Sequence, residues 1–192
     1  MRKTFSRSRN LWLAGLLFAG SLLVAVPASA QTGGSGPPGD TTTTNTTPTA
    51  PSGTAQIQPG GTALAPSNAP PQVRKAINAG NRIHMRPYIW GGGHRSFKSR
   101  GYDCSGAVSY VLHAAGLLRS PLSSGPLMAW GAPGIGSWIT VYANQSHAWM
   151  TVAGLRFDTS AVGESLNQGS GPRWRYNARG GTGYAARYYP GL

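Results

Sequence analysis

Five apolar side chains constrain how the second half of this chain can fold. Ala148, Met150, Val152, Leu155 and Phe157 fall on one face of a β-hairpin only if Val152 pairs with Leu155 across a two-residue turn, Ala153-Gly154. A slip of one residue would move Leu155 and Phe157 to the face opposite Met150 and Val152. The strands are expected over His147 to Val152 and Leu155 to Ser160. In this register His147, Trp149, Thr151, Asp158 and Ser160 share the other face. His147 lies opposite Ser160, and Asp158 is its diagonal neighbour, roughly 7–8 Å away at the backbone and within reach of longer side chains. Ala-Gly is not a favoured hairpin dipeptide, so the register rests on the apolar pattern.

The rest of the chain divides by composition. Residues 1–30 read as a secretory signal peptide: Arg2, Lys3, Arg7 and Arg9 precede an apolar run from Leu11 to Val26, and Ala28-Ser29-Ala30 is a small-residue cleavage pattern. A membrane span wants roughly 20 apolar residues; this run is shorter and ends at Pro27, so no stable insertion is expected after cleavage. Residues 31–71 are rich in Thr, Pro and Gly, with Asp40 as their only charge. They offer little apolar surface to bury and are expected to be a disordered linker. That leaves 72–192 for one domain with a single core.

Within this domain, Gln72 to Arg82 reads as a helix that buries Val73, Ala76, Ile77 and Gly80. A second helix opens at Asp103-Cys104-Ser105-Gly106 and carries Ala107, Val108, Val111, Leu112 and Ala115 at helical spacing. Strands are expected at Trp138–Tyr142, in the hairpin, at Trp174–Tyr176 and at Ala185–Tyr189. Helices followed by strands give an α+β fold, with N-terminal helices packed on an antiparallel sheet.

Cys104 is the only cysteine. A lone thiol in an exported chain cannot form an internal disulfide, which leaves an intermolecular bridge, a buried inert side chain or a reactive group. Asp103 is a good helix N-cap, and the helix start favours negative charge, so a thiol at this position is biased toward thiolate. A nucleophilic thiolate needs a partner base. His113, nine residues on, faces away from Cys104. His84 ends the first helix, and His94 sits in a mobile-looking basic loop. His147 stands on a strand, with Asp158 placed to orient it as the third member of a triad.

These residues resemble a known family. Tyr88-x-Trp90-Gly91-Gly92, then Asp103-Cys104-Ser105-Gly106 before an amphipathic helix, then His147 on a strand, is similar to the NlpC-type cell-wall peptidases, papain-like cysteine enzymes of bacteria. The resemblance covers about residues 75–160. It implies a papain-like NlpC-type fold and cleavage of amide bonds in peptidoglycan stem peptides. Cys104 would be the nucleophile, His147 the base and Asp158 its orienting partner. Tyr88 would help form the oxyanion site, and Asp103 and Ser105 would line the substrate cleft. The chain departs from the family in its basic loop Gly93–Gly101, in Gly136-Ser137-Trp138-Ile139 where Gly-Asp-Leu is usual, and in Trp130, Trp138 and Trp149, which could narrow the cleft.

The formal net charge is +13. From residue 72 onward thirteen Lys and Arg face only Asp103, Asp158 and Glu164, which favours an anionic partner. For an exported, cell-wall-associated protein this points to peptidoglycan or another wall polymer, and nucleic acid is not expected. No His-Glu-x-x-His, paired cysteines or phosphate-loop pattern is present, so no metal or cofactor is expected. A monomer is expected. Two other functions stay open on sequence alone: a non-catalytic, basic wall-binding module, and an amidase or acyltransferase acting on a different amide.

Overall fold

A computed structural model describes residues 53–160, 170–176 and 179–192. The elements run β1 (Gln56–Ile57), β2 (Ala63–Leu64), α1 (Pro71–Ile83), α2 (Cys104–Ala114), α3 (Ser124–Leu127), β3 (Ala132–Pro133), β4 (Ile139–Ala143), β5 (Ala148–Val152), β6 (Leu155–Asp158), β7 (Arg173–Tyr176) and β8 (Ala185–Tyr188). Six strands form one antiparallel sheet in the order β3-β8-β4-β5-β6-β7, and β1 pairs with β2 in a separate hairpin. The fold is α+β, with the N-terminal helices packed on the sheet as expected.

The apolar alternation sets the register. Val152 pairs with Leu155 and Met150 with Phe157, and all four are buried. They face α1 and α2, whose Val73, Ile77, Val108, Val111 and Leu112 are also buried. Truncating one of these large side chains, such as Phe157, would cost about 3–5 kcal/mol. Ala153 and Gly154 both have positive φ, 46° and 83°, as a two-residue turn that follows the strand twist requires. Alanine tolerates this poorly, but its backbone is held at both ends: its N–H donates to Trp138 O and its carbonyl accepts from Ala55 N, each at 2.8 Å.

That second bond corrects the expected boundary at residue 71. Residues 53–71 belong to the folded body: Ala55, Ala63 and Ala69 are buried. Asn81 of α1 donates to Ala63 O and accepts from Ala63 N, both at 2.8 Å, and its Oδ1 also accepts from Trp174 Nε1. Two-residue strands that bury alanines leave no hydrophobic periodicity to read. Residues 1–52, with the expected signal peptide and most of the linker, lie outside the described residues, as does Glu164. No helix among the described residues is long and apolar enough to cross a membrane.

Candidate active site

Cys104 is the first residue of α2, and Asp103 is its cap. The first N–H groups of a helix lack intrahelical partners, and Asp103 Oδ1 accepts from one of them, Gly106 N, at 2.7 Å. The glycine at 106 is needed because a Cβ there would overlap the carbonyl oxygen of Gly92. Asp103 N donates to that same oxygen at 3.2 Å. The helix start and the loop Gly91–Gly93 are therefore in backbone contact, which fixes where the thiol sits.

The other half of the site comes from the turn between β4 and β5. Asn144 Oδ1 accepts from Ser146 N and His147 N, and Asn144 N donates to His147 O. His147 thus immediately precedes β5 with its backbone fixed, whereas the expected strand begins at His147 itself. His147 Nε2 and Asp158 Oδ1 are 2.9 Å apart, the contact that the hairpin register allows. The imidazole and the Ala148 N–H both lie near enough to the Cys104 thiol to lower its pKa. With Nε2 on Asp158, the thiol is left to Nδ1.

This arrangement shifts all three groups. Burial opposes charge on His147, but the hydrogen bonds to Asp158 and Cys104 outweigh it and raise its pKa to about 9. Burial pushes the Cys104 thiol up, yet His147 and the Ala148 N–H bring it below its ordinary value. Burial likewise opposes ionisation of Asp158, and the His147 contact, Ser160 N–H and Arg156 hold it below the usual carboxylate range. Both shifts act in the same sense, toward a thiolate beside an imidazolium.

Arg179 is a residue that sequence reasoning missed. Its Nη1 lies 2.7 Å from Ser160 Oγ and 3.4 Å from Asp158 Oδ2. Its Nη2 bonds the Tyr184 hydroxyl, and its guanidinium lies over the Tyr184 and Trp149 rings. Ser160 in turn bonds Asp158 through both its N–H and its hydroxyl. Arg179 sits in a Gly-rich stretch with no periodicity, so no local signal marked it.

The remaining expected residues divide. Tyr88 is half-buried beside the thiol: burial, then the negative charges of Cys104 and Asp103, raise its phenol above its usual pKa. Asp103 and Ser105 do not lie open in a cleft. They are 6% and 3% exposed and are taken up by His94, whose Nε2 lies 3.0 Å from Asp103 Oδ1 and 3.1 Å from Ser105 Oγ. Gly91 N also donates to Asp103 Oδ2. His94 is thus fixed, against the expectation of a mobile loop. Trp149 is fully buried, stacked on Tyr142 at 4.1 Å, and Trp130 is buried, so neither narrows a cleft; Trp138 packs against the core. His113 faces away and stacks on Phe97. His84 bonds Gly60 O, and burial lowers its pKa. No cluster of potential metal ligands occurs among the described residues.

No protein-family model matches the sequence, and no curated protein matches it. Solved structures do. An NlpC/P60 family protein from Bacillus cereus is 22% identical with a TM-score of 0.46, over 67% of this chain and 44% of that one. The peptidoglycan hydrolase RipB from Mycobacterium tuberculosis is 21% identical with a TM-score of 0.47, over 65% and 68% of the two chains. RipD of the same organism, described as a non-catalytic NlpC/p60 domain protein adapted to peptidoglycan binding, is 18% identical with a TM-score of 0.46, over 62% of this chain and 98% of its own. This chain spans less than half the length of the Bacillus protein. It is similar, over about two thirds of its own length, to NlpC/P60 proteins described as hydrolytic and as non-catalytic.

Proposed function

We propose that this protein is an exported cysteine peptidase that hydrolyses amide bonds in peptidoglycan stem peptides. One observation carries the reading: a single imidazole bridges a helix-start thiol and a buried carboxylate. The substrate class comes from the resemblance of the Tyr88–Gly92 and Asp103–Gly106 segments, and export from the signal-like residues 1–30.

The chemistry follows from the ion pair. Cys104 Sγ attacks the amide carbonyl carbon as a thiolate, and the charge moves to the carbonyl oxygen. On this reading the Cys104 N–H and the Tyr88 hydroxyl, the latter assigned by the resemblance, stabilise that oxyanion. Imidazolium His147 protonates the leaving nitrogen as the C–N bond breaks, leaving a thioester. Neutral His147 then takes a proton from water as its oxygen attacks the thioester, and the thiolate leaves. Asp158 keeps the ring oriented and favours its charged form. From the thiolate form, His147 acts first as an acid and only afterwards as a base.

Purified protein is incubated with peptidoglycan fragments and the products are read by mass spectrometry. The expected result is new peptide termini with wild type and none with Cys104→Ala. Identical profiles for the two across several wall chemistries would overturn the reading. The burial of Asp103 and Ser105 under His94 favours a second reading, a non-catalytic wall-binding module, since two motif residues are then closed to substrate. It predicts wall sedimentation that survives Cys104→Ala and falls with salt, with no hydrolytic product from either protein.

A further inference from the structure

The only acidic side chains among the described residues are Asp103 and Asp158, both buried in the site above. The exposed cations elsewhere have no carboxylate partner among these residues, and three of them converge. Arg82 of α1, Arg86 just after it and Lys98 of the basic loop line a concavity of about 420 Å³, together with Ser99, Tyr102 and Tyr110.

The walls of this concavity are built rather than incidental. The Tyr102 hydroxyl donates to Phe97 O at 2.8 Å and accepts from Ser99 N at 3.3 Å. Phe97 stacks on His113 of α2 with ring centroids 3.8 Å apart. The backbone on either side of Lys98 is therefore tied to the Tyr102 hydroxyl, and the Phe97 side chain packs on α2. Arg82 Nε donates to the Tyr110 hydroxyl, and the Arg86 charge acts on the Tyr102 phenol. Three positive groups held close with no anion between them repel one another, so a ligand that supplies negative charge relieves the repulsion.

We infer that this groove binds a phosphodiester chain that carries no bases, such as the poly(glycerol phosphate) type of wall polymer. Two arginines favour phosphate, whose oxygens match the planar guanidinium fork, and an open groove with several cations suits a chain with repeated charges better than one carboxylate. Nucleic acid fits less well. Tyr102 is 2% exposed and Tyr110 is partly buried with its ring 5.3 Å from that of Tyr102, so neither offers a free ring face for a base to stack on. The groove is also separate from the thiol. Tyr110 follows Cys104 by six residues, which at 3.6 residues per turn turns it about 120° round α2 from the thiol. It shares no residue with Cys104, His147 and Asp158, so it stands or falls independently of the peptidase reading.

The test measures binding of poly(glycerol phosphate) fragments to the full chain by calorimetry at two salt concentrations, with single-stranded DNA of similar phosphate count as the base-bearing probe. Arg82→Gln/Lys98→Gln is compared with Lys75→Gln/Arg119→Gln, an equal charge loss at exposed positions outside the groove. The groove variant is expected to weaken polymer binding about tenfold or more and to flatten the salt dependence, with the control changing far less. Alkylation of Cys104 should stay at the wild-type rate in both variants, showing that the fold is intact. Equal losses in the two variants would reduce the effect to net charge and overturn the site. DNA binding about tenfold tighter than the polymer, or no polymer binding at low salt, would overturn the ligand.

Discussion

Two histidine–aspartate pairs flank Cys104, and by distance alone they are alike. His147 Nε2 lies 2.9 Å from Asp158, and His94 Nε2 lies 2.9 Å from Asp103. Each carboxylate also accepts backbone N–H groups. The difference lies in how each ring uses its two nitrogens. His147 spends Nε2 on Asp158 and keeps the other nitrogen for the thiol, so a proton can be handled on one side of the ring while the other side is held. His94 directs the same Nε2 at both Asp103 and Ser105, so its contact closes a cluster and reaches no nucleophile. One pair is placed for proton transfer, and the other clamps the loop to the start of α2. A short His–carboxylate distance does not identify a catalytic histidine; the partner of the second nitrogen does.

The largest effects should separate the two histidines. His147→Ala is expected to lower hydrolysis on the order of 10²- to 10⁴-fold and to slow alkylation of Cys104 at pH 6–7, because the thiol loses the group that lowers its pKa. His94→Ala should stay within about tenfold in both assays. Equal losses would mean that the clamp and the relay are not distinct.

Gly106→Ala probes the clamp more severely, since the new Cβ would overlap backbone rather than a flexible side chain. An expected loss of about 1–3 kcal/mol should appear as a lower urea midpoint. An unchanged midpoint would show that the loop yields easily and is no clamp.

The pH profile sharpens the relay side. Hydrolysis should rise as Cys104 ionises, below the ordinary thiol range, and fall as imidazolium is lost near pH 9. Asp158 is among the groups that raise His147, so Asp158→Asn should move the alkaline limb to lower pH. A limb that stays put would remove Asp158 from the relay. The smallest effect is expected for Asp103→Ala, a lost N-cap worth about 1 kcal/mol in chemical denaturation. That change should leave the alkaline limb near pH 9, because Asp103 is not among the groups that raise His147.

The relay was the more legible of the two pairs. Alternating apolar residues in β5 and β6 allow one register, and that register alone brings His147 and Asp158 together. Cys104 was legible from the phase of its helix and the cap before it. The His94 clamp was not, because a Gly- and Ser-rich basic loop carries no periodicity and its order comes from contacts to Asp103, Ser105 and Tyr102 that sequence spacing does not encode. Arg179 and the placement of β8 between β3 and β4 were hidden for the same reason: long-range pairing leaves no local signature. The role assigned to Asp103 and Ser105 came from resemblance, and it meets a histidine already seated on them.

The bond from Ala55 to Ala153 governs where the chain can be trimmed. The β5–β6 turn, whose far end carries His147 and Asp158, lies beneath residues 54 and 55: a Cβ on Gly154 would come within 2.7 Å of Thr54 Cγ2. A protease that freed the domain by cutting between Leu64 and Pro71 would discard this cover. It would leave Ala153 at positive φ with its carbonyl unpaired. A fragment that begins at Gln72 should therefore melt at a lower temperature than one that begins upstream of Gly53, and equal melting temperatures would show that the cover is dispensable. Processing that keeps this cover cuts on the N-terminal side of Gly53.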